Sequence, residues 1–241
     1  MIRTFYITIW VVFATLVLGL TVMILSFFVK SGNPLHRIAR FWGRSILVVS
    51  RIKVSVEGLS NIDPKCPYIY MPNHQSNFDI PVLLGHLTVQ FRWLAKKELF
   101  KIPIFGHAMR KAGYISIDRN NRQSAIKSLE VAAEKIRNGV SVLIFPEGTR
   151  SRDGKIQPFK KGGFIMAIDS GVPIVPVIIS GTRAIMTKGK FRVNPGQIRM
   201  SIQQPINTIT YSRGTKETLM ENVRRVICDN FETSGVDEWP S

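Results

Sequence analysis

From Thr4 to Val29 the chain carries no charged residue, and Arg3 and Lys30 bracket the run. As a helix rising 1.5 Å per residue it would reach ~39 Å, longer than the hydrocarbon core of a bilayer. It is too long for the apolar part of a signal peptide, and no A-x-A cleavage pattern follows it. A retained membrane anchor is therefore expected, in preference to a buried core helix. Hydropathy leaves open whether it spans the bilayer or enters one leaflet. Lys30, Arg37, Arg40, Arg44, Arg51 and Lys53 follow the run, against Arg3 before it. That asymmetry puts the rest of the chain on the cytoplasmic side of a cell membrane. Residues 34–50 read as a second helix, apolar at Leu35, Ile38, Phe41, Trp42 and Ile46 and basic at Arg37, Arg40 and Arg44. This pattern suits a head-group interface or a face packed on the body equally well.

Charge and cysteine usage narrow the class. Among 241 residues, 33 are Lys or Arg and 16 are Asp or Glu, a formal net charge of +17. An anionic partner follows: a phospholipid surface, nucleic acid, a phosphorylated substrate or an acidic carrier protein. A hydrophobic share of 45% excludes intrinsic disorder. Cys66 and Cys228, the only cysteines, exclude a disulfide framework and a cysteine-based zinc site, and are expected to be reduced thiols. Beyond Arg51, short β-rich runs (52–57, 67–71, 91–95, 113–117, 140–145, 173–179, 197–203) alternate with helical ones (80–88, 102–111, 122–138, 161–170, 215–233). The alternation predicts an α/β fold with a central, largely parallel sheet flanked by helices. The expected division is an N-terminal anchoring segment, 1–50, and one α/β domain, 51–241. Residues after Phe231 are expected to fray.

Two motifs follow strand candidates, where open α/β sheets place their sites. The first is Asn73-His74-Gln75-Ser76-Asn77-Phe78-Asp79, after Tyr68–Met71. On a regular helix His74 and Asp79 would point ~140° apart. They meet only if His74 lies in the loop and Asp79 at the helix start, which Pro81 supports, because proline is tolerated in a first turn. A carboxylate holding an imidazole fixes its tautomer and equips it as a general base. The competing reading is that Ser76-x-x-Asp79 is a capping box. The chain has no G-x-S-x-G motif, so direct attack by a substrate hydroxyl is favoured over an acyl-enzyme.

The second motif is Phe145-Pro146-Glu147-Gly148-Thr149-Arg150-Ser151-Arg152, after Val142–Ile144. Gly148 allows a positive φ or a close backbone approach. Arg150 and Arg152 offer forks for a phosphate monoester, Thr149 and Ser151 hydroxyls, and Glu147 an acceptor for a sugar-like hydroxyl. Pairing of Glu147 with Arg150 inside the loop is the alternative. Lys96 and Lys97 follow another strand candidate and could add phosphate contacts, and Asp118-Arg119 is similarly placed. Lys160-Lys161 opens a helix before Gly162-Gly163, an expected anion site. His36, His86 and His107 have no carboxylate at useful spacing and read as surface or core residues. Val172–Val177 contains two prolines, so an edge or bulged strand is expected there, walling an apolar tunnel or simply packing in the core.

These blocks, in this order across roughly residues 67–180, resemble the glycerolipid acyltransferase family. N-H-x-S-x-x-D stands at Asn73–Asp79, a second block runs from Lys96-Lys97-Glu98-Leu99 to Ile117-Asp118-Arg119, F-P-E-G-T-R-S is complete at Phe145–Ser151, and a proline-bearing strand follows. The resemblance implies transfer of a fatty acyl group to the 2-hydroxyl of lysophosphatidic acid, giving phosphatidic acid. It implies that His74 deprotonates the hydroxyl while Asp79 orients it. Arg150 with Lys96 or Lys97, and Arg152, would hold the phosphate; Glu147, Gly148 and Thr149 would position the glycerol. Oxyanion donors are sought among main-chain N–H groups near Ser76–Asn77 or Gly148. No metal or cofactor is implied, only acyl-CoA or the thioester of an acyl carrier protein as co-substrate. The partners implied are a phospholipid surface, lysophosphatidic acid and the carrier of the thioester, and no nucleic acid. Sibling acceptors, glycerol 3-phosphate or another lyso-phospholipid, carry the same blocks. A non-enzymatic basic protein binding membranes or nucleic acid is the reading from outside the enzyme class.

Overall fold

The computed structural model describes residues 2–232. Helix α1 (Ile2–Leu25) and helix α2 (Gly32–Val49) form an antiparallel pair at the N-terminus. The pairing is visible along its length. Arg3 donates to Ser50 O, Trp10 Nε1 to Ser45 Oγ at 3.2 Å, and Trp42 Nε1 to Thr15 Oγ1 at 3.0 Å. Ser31 starts α2 by accepting the Asn33 N–H on its hydroxyl.

The remaining chain alternates as expected. Strands β1 (Ile52–Glu57), β2 (Ile69–Pro72), β3 (Arg92–Lys96), β4 (Ile115–Ile117), β5 (Val142–Leu143), β6 (Ile174–Ser180) and β7 (Gly196–Ile202) form one sheet. Helices α3 (Asp79–His86), α4 (Phe105–Lys111), α5 (Arg122–Arg137), α6 (Lys161–Ser170), α7 (Thr182–Ile185) and α8 (Lys216–Glu232) connect and flank it. The strand order is β1-β7-β6-β2-β5-β3-β4, parallel throughout except for the antiparallel pair β6–β7. Residues 97–101, between β3 and α4, form a short 3-10 turn. The expected fraying after Phe231 concerns residues that, beyond Glu232, lie outside the described ones.

Both sheet faces are buried, which is why the central strands read as continuous apolar runs. Tyr70, Leu143, Val175 and Val177 face α2 and α3, while Ile69, Met71, Val142 and Ile174 face α5, α6 and α8. The consequence for function is directional. Strands β2, β3, β4, β5 and β6 run parallel, so residues following each of them emerge at one edge of the sheet.

The proline-bearing strand departs from expectation. It is interior, third in the order, with β2 on one side and β7 on the other. It does not border the apolar cavity described below; its residues are core. Proline is tolerated because Pro176 falls between the last β7 pair, Val177↔Ile202, and the lone bridge Ile174↔Ile206. At that gap its missing N–H needs no acceptor, while its carbonyl still accepts the Gln203 N–H at 3.0 Å.

Candidate active site

The His74 loop is launched by Asn73. Its side chain accepts the Ile179 N–H at 2.7 Å and donates to Ile179 O at 2.9 Å, closing the β2–β6 ladder one residue past Pro72. His74 then lies in a loop and Asp79 begins α3. His74 Nδ1 sits 2.8 Å from Asp79 Oδ2, a carboxylate with no exposed surface. The same oxygen accepts the N–H groups of Gln75 and Ser76, each at 2.8 Å. The capping-box reading is not met: Phe78, which makes no side-chain cap, stands at the N-cap of α3, and the Asp79 carboxylate instead ties the N–H groups of its preceding loop to the imidazole. With Nδ1 facing the carboxylate, Nδ1 carries the proton and Nε2 presents a lone pair.

The second motif encloses His74 from behind. Phe145 stacks on the imidazole, ring centroids 3.7 Å apart and planes inclined by 11°. Gly148 turns the loop at φ 71°, a left-handed conformation that glycine adopts without strain. Glu147 is buried, and it is occupied by main chain: Oε1 accepts the His74 N–H at 2.6 Å and Oε2 the Gln157 N–H at 2.8 Å. The Ser151 N–H donates to His74 O at 2.9 Å. Both main-chain groups of His74 are thus held by this loop. Burial raises the Glu147 carboxyl to about 7, against the lowering effect of the two N–H donors.

A cavity of about 530 Å³ opens between this edge and the α1–α2 pair. Its polar end holds His74, Asn77, Lys96, Arg119, Thr149 and Arg150; its apolar end runs to Val22, Leu35, Ala108 and Ala112. Of the residues singled out in the sequence, His74, Lys96, Gly148, Thr149 and Arg150 line it. Four others do not. Asp79 stands behind His74. Lys97 pairs with Asp118, Glu147 is turned to the main chain, and Arg152 lies outside the cavity on the exposed side of the loop. The Lys160–Lys161 helix start is likewise away from it, with Lys161 paired to Glu217 at 3.1 Å. Arg119, noted in the sequence as placed similarly to Lys96 and Lys97, lines the cavity and donates to Gly148 O. Its position directly after β4, on the edge shared with His74, is the signal that marked it. Of the candidate oxyanion donors, the N–H of Ser76 is taken by Asp79 and that of Gly148 by Phe145 O, leaving Asn77.

His36 belongs to the core. Its Nδ1 lies 2.9 Å from the Tyr114 hydroxyl, and burial, with Arg92 and Arg40 nearby, lowers its pKa to about 3. Cys66 is exposed and Cys228 half-buried, and both are free thiols.

Comparison with known proteins agrees with this architecture. The acyltransferase family model matches residues 53–180. A chloroplastic 1-acyl-sn-glycerol-3-phosphate acyltransferase of Brassica napus is 36% identical over 205 residues, covering 79% of this chain and 59% of that protein. A 1-acyl-sn-glycerol-3-phosphate acyltransferase of Limnanthes alba is 37% identical, covering 82% of this chain and 72% of the relative. The chain thus spans about three fifths of the Brassica protein, and 48% of a further relative from Arabidopsis thaliana. The crystal structure of the 1-acyl-sn-glycerophosphate acyltransferase of Thermotoga maritima superposes with a TM-score of 0.84 at 31% identity, covering 100% of this chain and 99% of that one. The chain belongs to the acyltransferase family.

Proposed function

We propose that the protein transfers a fatty acyl group from a thioester to the sn-2 hydroxyl of a 1-acyl-glycerol 3-phosphate, forming phosphatidic acid for phospholipid synthesis. The observation that carries this reading is the His74–Asp79 pair, 2.8 Å apart, at the polar end of an otherwise apolar cavity. The names of the relatives, which specify this acceptor, support it.

The chemistry follows from the atoms present. The acceptor phosphate pairs with Lys96, Arg119 and Arg150, placing the glycerol beside His74. His74 Nε2 takes the hydroxyl proton as the oxygen bonds to the thioester carbonyl carbon. Asp79 steadies the imidazolium through Nδ1. The carbonyl oxygen becomes an oxyanion, and the Asn77 N–H is the candidate donor to it. Collapse breaks the carbon–sulfur bond, and the imidazolium returns its proton to the departing sulfur. The acyl chain occupies the apolar cavity. The thioester is a co-substrate, and the steps draw on no other cofactor.

The N-terminal pair supplies the lipid surface. Among the described residues α1 is the one helix long and apolar enough to cross a membrane. Yet Thr4, Ile7, Ala14, Gly19 and Val22 are buried against the body, while Phe5, Ile9, Phe13, Leu16 and Leu20 face outward at helical spacing. A helix docked along one side and apolar on the other suits attachment to a single leaflet. The basic residues after it support a site facing the cytoplasmic side of the cell membrane.

The test is acyl transfer by purified protein, each product identified, given a panel of lyso-acceptors and glycerol 3-phosphate with two thioester donors. Transfer should favour 1-acyl-glycerol 3-phosphate and fall by about 10²- to 10⁴-fold in His74→Ala. Undiminished transfer in that variant would refute the reading.

A further inference from the structure

Acyl transfer of the kind proposed above brings two anionic molecules together: a phosphorylated acceptor and a thioester whose carrier bears phosphate. The structure has two groups of cations, one on each flank of the Phe145–Ser151 loop, which adjoin where Lys188 meets Arg150. On the β3–β4 flank, Lys96 and Arg119 line the cavity with Arg150. On the β6–α7 flank, Arg152, Arg183 and Lys188 gather outside it.

The second group is tied to the loop. Lys188 Nζ donates to Arg150 O at 2.6 Å and lies 3.3 Å from Thr149 Oγ1, and Arg183 reaches Arg152 O at 3.5 Å. Gly154 lies under the Arg183 guanidinium, where a Cβ would come within 2.9 Å of its nitrogen. Among the described residues no carboxylate lies within 4 Å of the Arg152, Arg183 or Lys188 charges. The nearest acid in sequence, Asp153, uses its Oδ1 on Ser151 Oγ, the Lys155 N–H and Gln157 Nε2. Partial burial, with Arg152 and Arg150 close by, holds the Lys188 ammonium below the usual lysine range. Clustered cations without counter-charge are mutually repulsive, and a bound polyanion relieves the repulsion.

We propose that Arg152, Arg183 and Lys188 form the site for the phosphate of the donor's pantetheine-bearing carrier, distinct from the acceptor-phosphate group at Lys96, Arg119 and Arg150. This assignment rests on the acyltransfer reading. It sets the acceptor inside the cavity mouth and the donor's carrier on the outer side of the same loop. The thioester then crosses the loop edge near Thr149 to reach His74. The same phosphate occurs in acyl-CoA and in the prosthetic arm of an acyl carrier protein.

The experiment compares Arg183→Ala and Arg152→Ala with the unaltered protein, using acyl-CoA, the acyl carrier protein thioester and a phosphate-free acyl-N-acetylcysteamine thioester. Arg183 is exposed, so its removal leaves the core intact. The expected result is a rise of about tenfold in donor KM, the loss of one charge-assisted contact, with the acceptor KM changing far less. The kcat/KM advantage of phosphorylated donors over the phosphate-free thioester should shrink by the same factor. A loss confined to one phosphorylated donor would assign the site to that carrier. A rise in acceptor KM instead, or an unchanged donor ratio in both variants, overturns the proposal. Failure of the unaltered protein to transfer from any donor would refute the acyltransfer reading itself.

Discussion

Glu147 Oε1 accepts the main-chain N–H of His74 at 2.6 Å, so the proposed base is tethered by the loop proposed to hold the acceptor. A carboxylate can accept from both His74 and Gln157; an amide accepts from one and turns an NH₂ toward the other. Glu147→Gln should therefore lower kcat by roughly ten- to a hundredfold through misplacement of the imidazole, with KM for the acceptor nearly unchanged. Steady-state kinetics separate the two. A raised acceptor KM at constant kcat would instead return Glu147 to the glycerol-binding role suggested by its motif.

Asp79 supplies one oxygen to three donors. Asp79→Asn keeps the shape but removes the charge that steadies the imidazolium. The expected loss in kcat is about 10²-fold or more, with sedimentation onto vesicles unaffected. Detachment from vesicles in this variant would show a folding defect in place of a catalytic one.

Two buried groups give the fold opposing responses to pH. Glu147 is raised to about 7, so its contribution to stability is full below its ordinary value of 4.5 and is lost as pH rises through about 7. His36 is lowered to about 3, so its contribution is full above 6.5 and is lost as pH falls toward 3. Between 4.5 and 6.5 the two slopes oppose each other. Unfolding midpoints across this window should climb more steeply with pH in Glu147→Gln, and should decline with pH in His36→Gln. Parallel curves for all three proteins would contradict both assignments.

Ala108 lines the apolar end of the cavity, next to Val22, Leu35 and Ala112. Ala108→Leu should shift donor preference toward shorter acyl chains. Each methylene excluded costs about 0.8 kcal/mol, or about fourfold in kcat/KM. A chain-length series measures it, and an unchanged profile would place the acyl chain elsewhere.

The outward aromatic residues Phe13 and Phe28 are 54% and 80% exposed. Replacing both with Ser should weaken partitioning into phospholipid vesicles by about tenfold per ring, with the thermal transition little changed. Equal partitioning would place the lipid contact on another face.

The sequence patterns made the alternation and the sheet edge legible, because apolar strands punctuated by glycine and polar loops leave a periodic trace. His74 and Asp79 were legible for a similar local reason: Pro81 limits where the helix can start. Long-range contacts were not. Nothing local says that Lys97 meets Asp118, that Glu147 turns toward the main chain, or that Arg183 and Lys188 join Arg152 across the loop. These depend on strand order. The misjudged proline strand shows the same limit: Pro176 is accommodated by the gap before Ile206, some thirty residues away in sequence.

The ring of Phe145, lying 3.7 Å over the imidazole, ties the proposed base to the loop proposed to hold the acceptor. One face of His74 is shielded from solvent, and once protonated the ring becomes a cation resting on a π cloud. Phe145 also opens the turn that carries Thr149 and Arg150. A shift of that turn therefore also shifts the ring that covers His74, so the imidazole's cover and the placing of Thr149 and Arg150 are mechanically coupled.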